Sequence, residues 1–135
     1  MTVFADTSAL YALMVSNETG HAEVSSAFKE LVEGNRPIAT SNYVLAETTA
    51  LLQRHIGLAA VRDLTARIVP LLVVHWVSES LHQQALERLV RSDRRDLSLV
   101  DRTSFLIMER EGIRDALALN ADFADAGFRV IPDRT

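Results

Sequence analysis

Four carboxylates stand where a lone acid is awkward: Asp6, Glu47, Asp101 and Asp122. Asp6 directly follows a short β-rich run, residues 2–5 (T-V-F-A). Asn120 and Asp122 directly follow another strand-like run, residues 116–119. Open parallel α/β sheets bind ligands outside the carboxyl ends of their strands, so these two runs deliver polar groups to one sheet edge. Glu47 falls on an amphipathic stretch, about 40° from Leu51 and about 60° from Val44 around a helical wheel, and so borders its apolar stripe. Asp101 opens a stretch carrying Leu99, Val100, Phe105, Leu106, Ile107 and Met108. That stretch is apolar around nearly its whole circumference, which marks a buried helix and sets Asp101 between Phe105 and Met108.

Taken singly, each acid has an ordinary explanation. Asp6 suits a helix N-cap, Glu47 a side chain reaching for the rim, and Asp101 a first-turn acid favoured by the helix dipole. Taken together they do not. Two carboxylates about 4 Å apart repel by about 4 kcal/mol at an effective dielectric near 20. A convergent set of four therefore calls for divalent cations. Oxygen donors, with no cysteine and no histidines at metal-ligand spacing, favour Mg²⁺ or Mn²⁺ over Zn²⁺. Such a site can activate water and stabilise both oxygens of an in-line attack on a phosphodiester.

The elements that must hold these groups alternate between strand and helix. Residues 2–5 form a strand, Asp6-Thr7-Ser8 supplies turn and N-cap residues, and helices follow over 9–15 and 21–33. Gly34-Asn35 and Arg36-Pro37 close the second helix before a minimal strand at 38–40. Ser41 or Asn42 caps a helix running to about residue 55, Gly57 stops it, and a further stretch over 58–69 ends before Pro70. Residues 71–77 (L-L-V-V-H-W-V) are apolar without alternation, as expected of a buried parallel strand. Ser78 caps a helix over 79–92, and Ser98 caps one over 99–111 that Gly112 ends. Short strands at 116–119 and 128–131 complete an α/β domain with a mostly parallel sheet covered on both faces.

With 135 residues, 48% hydrophobic and 24% charged, the chain reads as a single domain spanning 1–135 with a real core. It has no cysteine, hence no disulfide scaffold and no thiolate chemistry. No uncharged run reaches the roughly 18–20 residues of a membrane span, and Asp6 interrupts any signal-like stretch, so a cytoplasmic protein is expected. Of the 14 basic residues only Lys29 is a lysine. The net charge of −4 means that an anionic substrate needs a local basic surface. Arg88, Arg91, Arg94, Arg95 and Arg102 crowd beside Asp101, and some of them are expected to touch phosphate, although Glu87, Asp93 and Asp96 offer local partners. His75, in the apolar run, is expected to be a hydrogen-bonded core group, and Trp76 and Tyr43 are expected to pack.

Four segments carry a family resemblance: V-F-A-D-T-S-A-L (3–10), S-N-Y-V-L-A-E-T (41–48), D-L-S-L-V-D-R-T-S-F (96–105) and A-L-A-L-N-A-D-F (116–123) followed by A-D-A-G-F. In order and spacing the chain resembles a PIN domain, and specifically the small VapC-type toxins of toxin–antitoxin pairs. The resemblance implies a three-layer α/β/α sandwich and an Mg²⁺- or Mn²⁺-dependent endoribonuclease. It also implies a small VapB-like antitoxin that occludes the site, and a homodimer. Asp6, Glu47 and Asp101 fall on the family's three central acidic positions. Its fourth position is Asn120 here, with Asp122 two residues on, so either completes the metal set. Thr7 and Ser8 are expected to orient a carboxylate or a bound water, and Arg94, Arg95 and Arg102 to meet RNA phosphate. Receiver domains and haloacid-dehalogenase-like phosphatases need a lysine after a later strand, whereas Lys29 lies in an early helix. The remaining alternatives are a DNA-directed nuclease of the same fold and a catalytically weakened binding module.

Overall fold

In the computed structural model, which describes residues 1–133, the chain runs β1 (Val3–Ala5), α1 (Thr7–Met14), α2 (His21–Glu33), β2 (Ile38–Ser41), α3 (Asn42–His55), α4 (Leu58–Asp63), β3 (Leu72–His75), α5 (Glu79–Arg91), α6 (Leu99–Glu111), β4 (Asp115–Leu117), α7 (Asp122–Asp125) and β5 (Arg129–Ile131). The five strands are all parallel, in the order β3-β2-β1-β4-β5. The first three strands step outward from β1 in one direction, and the chain then crosses back to lay β4 and β5 on the other side. The order therefore reverses between β1 and β4, the place where such sheets open a ligand crevice.

Val3, Phe4 and Ala5 are each 0% exposed. Successive strand residues point to opposite faces, so the centre of the sheet is covered on both, as an α/β sandwich requires. Helix α2 buries Val24, Ala27, Phe28 and Leu31 at three- and four-residue spacing, the pattern of a helix that gives one stripe to the core. In α6 the burial is continuous from Thr103 to Met108. Its Phe105 packs edge-on to Phe123, with centroids 5.0 Å apart, and also meets Phe128. This aromatic cluster fixes α6 and α7 relative to β5.

Element types follow the sequence reading, but several details differ. The stretch 58–69 is regular helix only to Asp63; a π turn (Leu64–Ile68) and a 3₁₀ turn (Val69–Leu71) follow. Pro70 has no N–H for a continuing helix, so the chain changes hydrogen-bond register before it. The apolar run 71–77 contributes a parallel strand of four residues, but at the sheet edge instead of the interior. Val73 is 51% exposed and Trp76 77%. An unalternating apolar run marks a parallel strand without saying whether it is central. His75 is half-buried beside the Glu111 carboxylate, 4.0 Å away, and is not a core group. Tyr43 does pack, edge-on to His82, and hydrogen-bonds its ring. Among the described residues no helix is long and apolar enough to cross a membrane.

Candidate active site

Asp6 leaves β1 in extended backbone and caps α1. Its N–H donates to the Leu117 carbonyl at 3.0 Å, which ties it to the end of β4. The Asp6 Oδ2 atom accepts from Ser8 Oγ at 2.7 Å, from Ser8 N at 3.3 Å and from Asn120 Nδ2 at 3.4 Å. Ser8 Oγ in turn accepts from Leu119 N at 3.0 Å. The D-T-S turn thus stitches the carboxyl ends of β1 and β4 together at the point where strand order reverses. Gly20 lets the chain pass close by: a Cβ there would meet Leu119 Cδ1 at 2.8 Å, and φ is +89°.

Asp6 is 2% exposed. Burial pushes its carboxyl up to about 6, Ser8's hydrogen bonds pull it back in part, and the charge of Asp101 pushes it further. Beside it the Thr7 hydroxyl is buried with no hydrogen-bond partner among the described residues. Buried polar groups are almost always paired, so this one is ready to accept or donate to something that enters the site.

Asp101 is placed otherwise than the helical wheel indicates. It sits half-buried in the first turn of α6 and shares a capping box with Ser98. Ser98 Oγ accepts from Asp101 N at 3.1 Å, and Asp101 Oδ2 accepts from Ser98 N at 3.0 Å. First-turn side chains lean back past the helix end, so the apolar circumference closes only from Thr103 onward. The first-turn reading of this acid holds, yet its charge still bears on both Asp6 and Asp122. Asp122 opens α7, its N–H donating to Asn120 Oδ1 at 3.2 Å. Its carboxyl is raised first by burial, then by the charges of Asp101 and Asp96, with Arg94 offsetting in part.

The expected donors therefore fall into two linked groups. Asp6, Ser8 and Asn120 are hydrogen-bonded together, and Asp101 couples electrostatically to both Asp6 and Asp122. Glu47 is half-buried on α3, which packs against α6, with no hydrogen bond or ion pair to the other acids among the described residues. Among those residues no three acidic or histidine side chains stand close enough to enclose an ion unaided. The donor chemistry suits a hard, partly hydrated cation, which needs only one or two carboxylates and keeps several waters. No basic side chain among the described residues pairs with Asp6, so its ionised form is uncompensated there.

The arginines are more committed than their sequence crowding indicates. Arg94 pairs with Asp96 through both Nε and Nη2, at 3.2 and 2.8 Å. Arg102 donates to Leu97 O, Ser92 Oγ and Arg94 O, at 3.3, 3.0 and 2.9 Å. Its guanidinium shapes the 92–98 loop and is not free for phosphate. Arg95 is exposed and has no partner among the described residues. Sequence reasoning missed this buttressing role of Arg102; the S-x-x-D pattern at 98–101, by contrast, signals the capping box that holds Asp101. A groove of about 770 Å³, lined by Asn120, Ala124, Ile131 and Pro132, opens beside the Asp6 cluster.

A reversed parallel sheet with a buried aspartate at its switch point defines a class. Residues 3–129 match the PIN domain, and the chain belongs to that family. Within it, the chain is similar to VapC-type members. It is 41% identical over 128 residues to the 23S rRNA-specific endonuclease VapC20 of Mycobacterium tuberculosis, in strains CDC 1551 / Oshkosh and ATCC 25618 / H37Rv, covering 93% of this chain and 95% of each relative. The crystal structure of M. tuberculosis VapC20, a sarcin–ricin loop cleaving toxin, matches with a TM-score of 0.79 at 40% identity, over 93% of this chain and 95% of that one.

Proposed function

We propose that this chain is an endoribonuclease of the VapC type, cutting RNA phosphodiester bonds with a Mg²⁺ or Mn²⁺ ion held at the carboxyl edge of β1 and β4. The observation that carries the reading is Asp6: a buried carboxylate, clamped by Ser8 and Asn120, with the Asp101 charge bearing on it and no basic side chain paired with it among the described residues. Its carboxyl, raised to about 6, is still mostly ionised at neutral pH. Asp6 and Asp101 would hold the ion, with Asn120 Oδ1, Asp122 or Glu47 completing the set through water. When bound, such an ion supplies positive charge to a phosphoryl oxygen and eases deprotonation of water. Ser8 fixes the Asp6 rotamer, Thr7 Oγ1 offers its hydroxyl to a water in the site, and Arg95, exposed on the 92–98 loop beside the Arg94–Asp96 pair, meets RNA phosphate.

The similarity to VapC20 favours 23S rRNA as the substrate, with the cytoplasm as the place of action. The same reading carries a VapB-like antitoxin that covers the site, and a homodimer. The test is incubation of purified protein with ribosomal RNA and with single-stranded DNA of matched sequence, in Mg²⁺ or Mn²⁺. RNA is expected to be cut, and cutting to be lost with chelator, in Asp6→Asn and in Asp101→Ala. Cleavage that persists in chelator overturns the ion, and equal cleavage of DNA overturns the RNA assignment.

A further inference from the structure

The opposite end of the sheet carries a second feature, at the amino edge of β4 and β5. A crevice of about 940 Å³ there is lined by Arg36, Arg114 and Arg129 around Asp115, with Asn35 and Phe128 beside them. Asp115 is 7% exposed and is held by Arg36 Nη2 at 2.9 Å and Arg129 Nε at 3.4 Å. One buried carboxylate thus answers two guanidiniums, and most of the Arg129 side chain (72%) remains exposed. Arg114 is exposed and has no partner among the described residues; its carbonyl accepts from Arg129 N at 2.9 Å. Asp115 is the only acid among the residues that line the crevice, so three positive charges face one negative charge. The catalytic edge has the reverse balance: Asp6, Asp96, Asp101, Asp122 and Asp125 gather there, and Arg94 is tied to Asp96.

We propose that this crevice binds the phosphodiester backbone of RNA at a distance from the cut, with Arg114 as its principal free cation and Arg129 as its second. The proposal rests on the ribonuclease reading and adds a second anchoring point to it. An acidic catalytic edge repels its substrate, and a guanidinium site elsewhere on the surface offsets that repulsion. From Arg114 to Asn120 is six residues, so the two sites lie no more than about 20 Å apart along β4. That is roughly six nucleotides of one strand at 3.4 Å each. A folded RNA reaches both sites, whereas a tetranucleotide stacked at the Asp6 cluster spans only about 14 Å and reaches one.

The test measures binding by fluorescence anisotropy in chelator, where no turnover occurs, using a labelled RNA hairpin longer than twelve base pairs. Cleavage of a tetranucleotide is followed separately in Mn²⁺. Arg114→Gln and Arg114→Glu alter an exposed, unpartnered side chain and leave the Asp115 pairs in place. Arg114→Glu is expected to weaken hairpin binding about 5–10-fold. It should also lower the slope of log K against log salt by about 0.7–0.9, the loss of one phosphate contact. Tetranucleotide cleavage should be unchanged. If the wild type cuts RNA while Arg114→Glu keeps wild-type hairpin affinity and slope, the crevice is overturned alone. Equal losses on the tetranucleotide overturn it too, because the effect is then not confined to the far end. Loss of poly-glutamate binding with RNA binding intact overturns it in favour of an acidic protein partner. A wild type that neither binds nor cuts RNA defeats the ribonuclease reading first.

Discussion

On the proposed reading, Asp6 is where folding and function pull in opposite directions. Its carboxyl is at about 6 in the folded protein against an ordinary 3.8, chiefly through burial. The folded state therefore holds this proton more tightly than the unfolded chain does. The contribution of the group to stability is greatest below about pH 4, falls as pH rises toward 6, and is flat above. The gap of about two pH units corresponds to about 3 kcal/mol at neutral pH. In chelator, Asp6→Asn is expected to raise Tm by roughly 5–10 °C at pH 8 and by little at pH 4.5. Thermal unfolding monitored by circular dichroism checks this, and an equal gain at both values would show that charge is not the cause. Thr7 poses the same conflict on a smaller scale. Thr7→Val removes a buried, unpaired hydroxyl and should stabilise the metal-free protein by about 1 kcal/mol in urea titration, while slowing RNA cleavage. At this scale the sequence is informative where position is local. An acid directly after a strand lies at the sheet edge whatever the rest of the chain does, and Asp6 and Asn120 meet there. Arg102 was not legible as a buttress, because its partner Ser92 lies ten residues back across a loop whose path depends on how α5 and α6 pack. For Glu47 a helical wheel gives the face but not the distance to Asp6.

Among the elements, strand–helix alternation was most readable where a serine caps the helix: Ser41, Ser78 and Ser98 each accept from the backbone N–H of the third residue of their helices. Sheet order was not, since an apolar four-residue strand looks the same at the centre and at the edge, and only the crossover after β3 leaves it outermost. The α5–α6 connection is the element on which the site depends most. Arg102 spans it with three hydrogen bonds, and the Ser98 box sets the start of α6 and with it Asp101. Arg102→Ala should cost about 1–2 kcal/mol, and its sharper signature is local. Hydrogen exchange over residues 92–98 is expected to accelerate at least tenfold while the centre of α6 stays protected. Arg102→Lys should not restore protection, because one ammonium cannot reproduce the planar fork. Uniform acceleration across α6 would mean that the loop and helix unfold together and that Arg102 has no separate role.

For the molecule as a whole, the sheet separates two charge environments, with acids at the carboxyl edge and arginines at the amino edge. Net charge alone conceals this, because −4 is the sum of both ends. On the reading proposed above, ion binding and proton binding compete at the acidic end, and that competition should register in global stability. A ligand that binds only the folded state stabilises it by mass action, by about 2.7 kcal/mol at one hundred times its Kd. The ligating carboxylates must be ionised to take it up. Raising pH from about 4 to 6 thus weakens the chelated protein through Asp6, whereas an ion bound at the same carboxylate offsets that loss. The difference in Tm between Mn²⁺ and chelator is expected to be small below about pH 4.5, to rise most steeply between about pH 4.5 and 6, and to level off by about pH 7.5. Asp6→Asn should flatten that curve, whereas Arg114→Glu, at the far end of β4, should leave its midpoint in place. A Mn²⁺ gain that is already full at pH 4.5, or that survives in Asp6→Asn, places the ion away from Asp6 and removes the carboxyl edge of β1 and β4 as the seat of the chemistry.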